Sequence, residues 1–510
     1  MPRPNRGGAA AKRRGRPTAT IMQSPAGQRQ NPYPPVEIIS ADQVEAIHNA
    51  SLDVLERIGV NFLLDEAREI LSAAGADING QRVRFDRALV AQHIKSVPPV
   101  FTLHGRNPSW QRRFGKNYVN FGCVASPPHV TDLDRGRRTG NFEDYCNLLR
   151  LAQALNVCDI ISGYPVEAVD IAPAVRHLET LRAAAKLTDK NLFGYSLGRQ
   201  RIRDAIEITR LARGIDEATL LREPSMFTVV NANSPLQYDG PMLIGVIECA
   251  RMNQPVIFTP FTLAGAMAPV TIAGALVQQN AEALAGITFA QIVNPGAPVV
   301  YGSFTSNVDM KSGAPAFGTP EYAKATLISG QLARRYGFPF RASNANASNA
   351  PDVQSAYESM MSVWPCVQAH CNFVVHGLGW LEGGLTASYE KMVIDAEMLQ
   401  MMAAYLEPID LSADAFGIDA MEEVGPGGHF FGSAHTLARY ETAFYAPIIS
   451  DWRNFETWAE AGAVDATARA QKVYKQLLAE FQPPAMDPAT EEALDAFVDR
   501  RIAEGGAVGE

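Results

Sequence analysis

Between residues 118 and about 405 the chain alternates short apolar or β-branched runs with amphipathic runs of helical period. The apolar runs fall at 118–123, 158–162, 191–196, 226–231, 255–260, 298–303, 339–343 and 372–376. The helical runs fall at 142–155, 173–187, 200–213, 239–251, 272–292, 319–335, 352–368 and 389–404. Strands that are apolar throughout are buried on both faces, and strands separated by whole helices pair in parallel. Eight such units predict an α/β fold of the (β/α)8 barrel type, with an open α/β sheet carrying insertions as the alternative.

The flanks read differently. Residues 36–58 open on the N-cap candidate Ser40 and place Val44, Ile47, Leu52, Leu55 and Ile58 at roughly helical spacing. A helix at 64–73, a short strand at 82–85 and a third helix reaching Val97 complete an expected N-terminal helical cap over 32–117. Residues 129–140 have a glycine at the tip and read as a hairpin. After the barrel, 406–510 is expected to hold a glycine-rich loop at 423–432 and long surface helices, broken at Pro483-Pro484.

Composition narrows the class. The 510 residues are 47% hydrophobic and 19% charged, and no uncharged apolar run approaches the ~18–20 residues of a membrane helix. The six cysteines show no paired spacing and form no disulfide framework, which fits a cytoplasmic location. The net charge of −9 is uneven: residues 1–31 carry seven basic side chains and no acid, leaving an acidic body. Such a body repels nucleic acid, so polyanion binding would be confined to the tail, which is expected to be disordered and outside the fold.

In a barrel of this kind the chemistry sits at the C-terminal strand ends. There the sequence places Tyr164, Tyr195, Phe261, Phe304, Asn344, Asn346, His376, Trp380 and Glu382, with no Lys or Arg close to the strand ends. A rim without basic residues does not suit a phosphorylated substrate. Ring quadrupoles and amide dipoles suit a cation lacking hydrogen-bond donors, such as a quaternary ammonium. Taken singly, each ring fits core packing as well. Cys366, His370, Cys371 and His376 have the softness of a zinc set but span the height of the barrel, so no metal site is expected. The 423–428 loop superficially resembles an S-adenosylmethionine loop, but polar helical sequence precedes it, and a turn in close backbone approach is expected instead. Gly377-Leu378-Gly379 lacks the third glycine of a dinucleotide loop, and no tightly bound cofactor is expected.

Several separated motifs resemble the trimethylamine methyltransferase family: Gln278-Gln279-Asn280-Ala281-Glu282-Ala283-Leu284-Ala285-Gly286, Pro298-Val299-Val300-Tyr301-Gly302-Ser303, Gly318-Thr319-Pro320-Glu321, Pro351-Asp352-Val353-Gln354 and Leu381-Glu382. The resemblance spans about 36–500. It implies a (β/α)8 enzyme that moves a methyl group from a methylated amine to the cobalt of a separate corrinoid protein. The archaeal trimethylamine enzymes carry pyrrolysine in the loop before Pro-Asp-x-Gln, where this chain has Asn346. That departure points to a quaternary amine such as glycine betaine, whose nitrogen leaves as a neutral tertiary amine without prior activation. On this basis Tyr164, Tyr195, Phe261, Phe304 and Trp380 are expected to form cage walls, Asn344 and Asn346 to orient the ligand, Glu382 to balance its charge, and His376 and His429 to meet a carboxylate. Association into homo-oligomers is also expected. The alternatives are a zinc-dependent methyltransferase of alcohols or thiols, a non-catalytic betaine-binding barrel, and a DNA-associated role through the basic tail.

Overall fold

The computed structural model describes residues 20–508. Its centre is a curled parallel sheet of seven strands: β1 (Phe121–Cys123), β2 (Leu192–Phe193), β3 (Met226–Val230), β4 (Val256–Phe258), β5 (Val299–Gly302), β6 (Phe340–Ser343) and β7 (Phe373–Leu378). They lie in the order β2-β3-β4-β5-β6-β7-β1. The expected strand at 158–162 contributes a single parallel bridge, Ile160 to Gly122. The ring is closed by a side chain: the Asn191 amide accepts from the Ile161 N–H (3.1 Å) and donates to the Ile161 carbonyl (3.0 Å).

Helices alternate with the strands: α1 (Phe142–Ala154), α2 (Pro173–Leu187), α3 (Arg199–Arg213), α4 (Gly240–Arg251), α5 (Ile272–Val293), α6 (Pro320–Tyr336), α7 (Val353–Gln368) and α8 (Tyr389–Tyr405). The fold is a (β/α)8 barrel. Asn141, Asp239, Thr271, Thr319, Asp352 and Ser388 each cap the helix that follows by accepting from a backbone N–H of its first turn.

The lower end of the barrel is plugged. A hairpin of Phe101–His104 and Gln111–Phe114 puts Leu103, Trp110 and Phe114 against Ile160, Phe193, Phe227, Ile257, Val300 and Phe373, the apolar interior of the strands. Arg112 pairs with the buried carboxylate of Asp159 at 3.0 Å.

Two expectations for the flanks need correction. The N-terminal layer is not wholly helical: beside helices Ala41–Asp53, Asp65–Ala73 and Arg87–Ile94, strands Val60–Phe62, Asp77–Asn79 and Arg82–Arg84 form a sheet with Gln237–Tyr238. Val60, Phe62 and Val83 are fully buried on it, which accounts for their strand character. Residues 20–31 are not a free tail. Arg29–Gln30 pairs antiparallel with Tyr118–Val119, Arg29 reaches Asp159 at 3.4 Å, and Ser24 N–H donates to Gln400. The remainder of the basic tail, 1–19, lies outside the described residues.

The C-terminal helices lie on the surface, as expected, and each buries one narrow stripe. Helices Ala466–Ala479 and Pro488–Ala503 bury Tyr474, Leu477, Leu494 and Val498 against the barrel. The exposed apolar residues lie earlier, in 409–455, where Phe431 is 85% and Phe444 86% accessible. Gly425 and Gly427 adopt positive φ with open space around them, and the close backbone approach expected of this loop falls at Gly428, where a Cβ would lie 2.6 Å from the Val424 carbonyl oxygen.

Candidate active site

Above the barrel, β4 and β5 continue as a second parallel pair, Phe261–Ala264 with Phe304–Val308. Their register places Phe261 opposite Phe304, and the rings stack at 5.2 Å. Phe317 stacks on Phe304 at 5.2 Å and meets Trp380 at 5.5 Å. His376 lies flat on Trp380 at 4.9 Å with an interplanar angle of 6°. Within this cluster Phe304, Phe317 and Trp380 are buried, while Phe261 and His376 keep partial exposure and so face the opening. Phe317 follows the short strand Pro315–Ala316 and not a barrel strand, so reasoning from barrel strand ends missed it.

The cluster is held from behind by the motif on α5. Gln279 Oε1 accepts from the hydroxyls of Ser303 (3.1 Å), Thr305 (2.9 Å) and Ser329 (3.1 Å), fixing the residues on either side of Phe304. Glu282 accepts from the Leu236 N–H and the Ser234 hydroxyl, both at 2.7 Å. The polar residues of this buried helix therefore work as scaffolding.

Asn344 and Asn346 follow β6 and are both fully buried. Asn346 Nδ2 donates to the Trp380 carbonyl at 2.7 Å, and Asn344 Nδ2 to the Gly377 carbonyl at 3.1 Å. A carbonyl can only accept, so each contact fixes which amide atom faces it. Both Oδ1 atoms are left buried without a hydrogen-bond partner. Behind them, Lys391 pairs with Asp395 and donates to Ser359 Oγ at 2.8 Å, while Glu358 accepts from the N–H groups of Ala347 (2.8 Å) and Ser348 (2.9 Å). The loop that carries Asn346 is thus pinned on both sides.

His376 has a left-handed backbone, φ 57°, where the register of β7 against β1 shifts. The bulge re-aims the ring toward the aromatic cluster. Burial, together with the positive charge of Arg341, holds its pKa well below the usual imidazole value, so the ring is neutral. Its Nδ1 is buried and unpartnered.

The other sequence candidates are scattered. Tyr164 and Tyr195 form a separate edge-to-face pair at 4.4 Å, with Tyr195 bonded to Ser126, beside a cavity of about 310 Å³ that also meets α2 and α3. Glu382 is engaged by Arg137 at 2.9 and 3.0 Å, so its charge is already balanced. His429 is exposed, with its ring 6.1 Å from Phe431, and no described contact joins it to the barrel mouth. The four soft side chains do not converge. Cys366 and Cys371 face backbone carbonyls of Ser343 and Phe373, and His370 Nε2 faces the Tyr33 carbonyl at 2.8 Å.

One residue corrects the expectation of a rim without basic groups. Arg341, on β6, registers with Gly302 and Phe373, so it shares the inward face of Phe373 and Val300. It is 4% accessible, and its guanidinium lies 5.4 Å from the centre of the Phe304 ring. A charged residue inside a strand buried on both faces was the sequence signal.

The barrel is closed below, and above it stand a cluster of rings, two buried amides and one guanidinium. This is a (β/α)8 barrel with its candidate site at the C-terminal strand ends. Residues 5–506 match the model of the trimethylamine methyltransferase (MTTB) family, and the chain belongs to that family. It is 37% identical over 474 residues to the glycine betaine methyltransferase of Desulfitobacterium hafniense strain Y51, covering 93% of this chain and 98% of that protein. It is 30% identical to a trimethylamine methyltransferase of D. hafniense DCB-2, covering 92% and 94%. It is 29% identical to the proline betaine:corrinoid methyltransferase of Eubacterium limosum, covering 79% and 84%.

Proposed function

We propose that this methyltransferase moves a methyl group from a quaternary methylated amine to Co(I) of a separate corrinoid protein. In the transfer the C–N bond breaks, its electron pair leaves with nitrogen as a neutral tertiary amine, and cobalt supplies the pair for the new Co–C bond. No proton moves, so no general acid or base is needed. The chain supplies position and electrostatics. Phe261 and the rings behind it receive the cationic head group, and the unpartnered Oδ1 of Asn346 turns the negative end of an amide dipole toward it.

The observation that carries this proposal is Asn346. By the family resemblance it stands where the archaeal trimethylamine enzymes carry pyrrolysine, and its geometry is that of a fixed dipole, not a covalent trap. The names of the relatives support the same chemistry. None of the described helices is long and apolar enough to cross a membrane, and a cytoplasmic site of action is part of the proposal. So is self-association, through the exposed apolar residues of the 409–455 segment; a monomeric mass by light scattering would withdraw it.

The test is spectroscopic. Purified protein, Co(I) cobalamin or a corrinoid protein, and a panel of methylated amines are followed for methyl-cobalt formation. Turnover of a quaternary amine but not trimethylamine is expected, with Asn346→Ala lowering it about 10-fold or more. Turnover of trimethylamine alone, or full activity in Asn346→Ala, would overturn the role given to this residue.

A further inference from the structure

Arg341 is buried without an anion. Its Nη1 donates to the Ser303 carbonyl at 3.3 Å, and its Nε has no hydrogen-bond partner. Among the described residues no carboxylate lies within ion-pair distance of it. The ionisable groups nearest in electrostatic terms are Tyr322, Cys371 and Cys366, none of them a carboxylate, and burial raises the pKa values of Tyr322 and Cys366. Burial pulls the guanidinium itself down only to about 10, so it remains charged. A buried, charged, unpaired guanidinium costs several kcal/mol and persists where an anion arrives to share it.

The surroundings are arranged for such an arrival. Gly302 stands opposite Arg341, and a Cβ there would lie 2.0 Å from Thr259 Oγ1, so the glycine keeps this layer of the barrel open. Thr259 Oγ1, Ser343 Oγ and His376 Nδ1, at the ends of β4, β6 and in β7, are buried without partners, the two hydroxyls as donors and the imidazole in the tautomer protonated at Nδ1. All three can donate to carboxylate oxygens. The aromatic cluster that would take the ammonium begins at Phe304, the ring beside the guanidinium. Cation-binding rings and an anion-binding guanidinium therefore sit side by side, in an interior of limited size.

We infer that Arg341 is the carboxylate anchor of the site and restricts the substrate to short zwitterions, in which a carboxylate lies close to the quaternary nitrogen. Choline, tetramethylammonium and trimethylamine, which lack that carboxylate, would leave the guanidinium buried and unpaired. This inference rests on the methyl-transfer function proposed above, and it assigns to Arg341 the contact that sequence reasoning gave to His376 and His429.

The test compares wild type with Arg341→Met and Arg341→Lys, by calorimetric binding and by methyl transfer, using glycine betaine and tetramethylammonium. Wild type is expected to bind glycine betaine at least about 30-fold more tightly, and Arg341→Met to lose that preference. Arg341→Lys should keep part of it. Apo Arg341→Met should melt no lower than apo wild type, since an unpaired buried charge has been removed, while the shift in melting temperature on adding glycine betaine should vanish. An Arg341→Met protein that still prefers glycine betaine, or a wild type with no preference, overturns the inference. If neither ligand is demethylated the methyl-transfer proposal fails, whereas the binding and melting measurements still decide the role of Arg341.

Discussion

Asn191 and Ile161 exchange two hydrogen bonds, at 3.0 and 3.1 Å, between a side-chain amide and a backbone peptide. In this way one residue stands in for a strand ladder at the seam where the barrel closes. Asn191→Ala would leave the Ile161 N–H and C=O buried and unpaired, at about 1–3 kcal/mol each. A drop of roughly 2–4 kcal/mol in unfolding free energy is expected in denaturant titrations. An unchanged midpoint would mean that the seam is held elsewhere.

Phe261 is the partly exposed phenyl ring of the aromatic cluster, so its replacement tests cation recognition with least damage to packing. Phe261→Leu keeps an apolar side chain and removes the quadrupole. The KM for a quaternary amine should rise about 3- to 30-fold, with the melting temperature little changed. Equal KM values would assign the head group to other rings.

Glu382 is expected to matter little for the substrate. Its carboxylate is held by Arg137, whose side chain is half exposed, and such pairs contribute about 0–1 kcal/mol. Glu382→Gln should change stability by less than about 1 kcal/mol and substrate KM less than about twofold. A large increase in KM would restore the charge-balancing role suggested by sequence.

Stability should fall on the acid side. Burial, reinforced by Arg335, lowers the pKa of His48 from 6.5 to about 4, and its Nδ1 meets the Tyr336 hydroxyl at 2.8 Å. Between those two values the unfolded imidazole takes up a proton that the folded one refuses. Stability is therefore lost as pH falls from 6.5 toward 4, by up to about 1.4 kcal/mol per pH unit for each such proton. Urea midpoints of wild type and His48→Gln should converge as pH falls through this window, because the variant lacks the titrating group while sharing all others. Parallel curves would show that His48 stays uncharged in both states or charges in both.

Much of the barrel was legible because two local signals agree. Apolar runs mark strands buried on both faces, and Asn141, Thr271, Thr319 and Asp352 mark helix starts through their own side chains. The N-terminal sheet was hidden for the opposite reason. Its strands are three residues long, and Val60–Phe62 pairs with Gln237–Tyr238, far along the chain. The clustering of Phe261, Phe304 and Trp380 was legible because position along a strand decides it. Facing was not legible: Arg341 points inward from the body of β6, while Glu382 pairs with Arg137. His429 was placed by its glycine-rich setting, which says nothing about proximity.

The plug formed by Leu103, Trp110 and Phe114 makes the barrel a vessel with one opening. If the methyl acceptor docks at that mouth, it becomes the stopper, and traffic must take turns. The amine enters first, the cobalt protein seals it in, and the demethylated amine departs only after the cobalt protein lifts away. Raising the acceptor protein at low amine concentration should then slow the initial rate instead of saturating it, and relief of that inhibition by added amine is the kinetic mark of a single doorway.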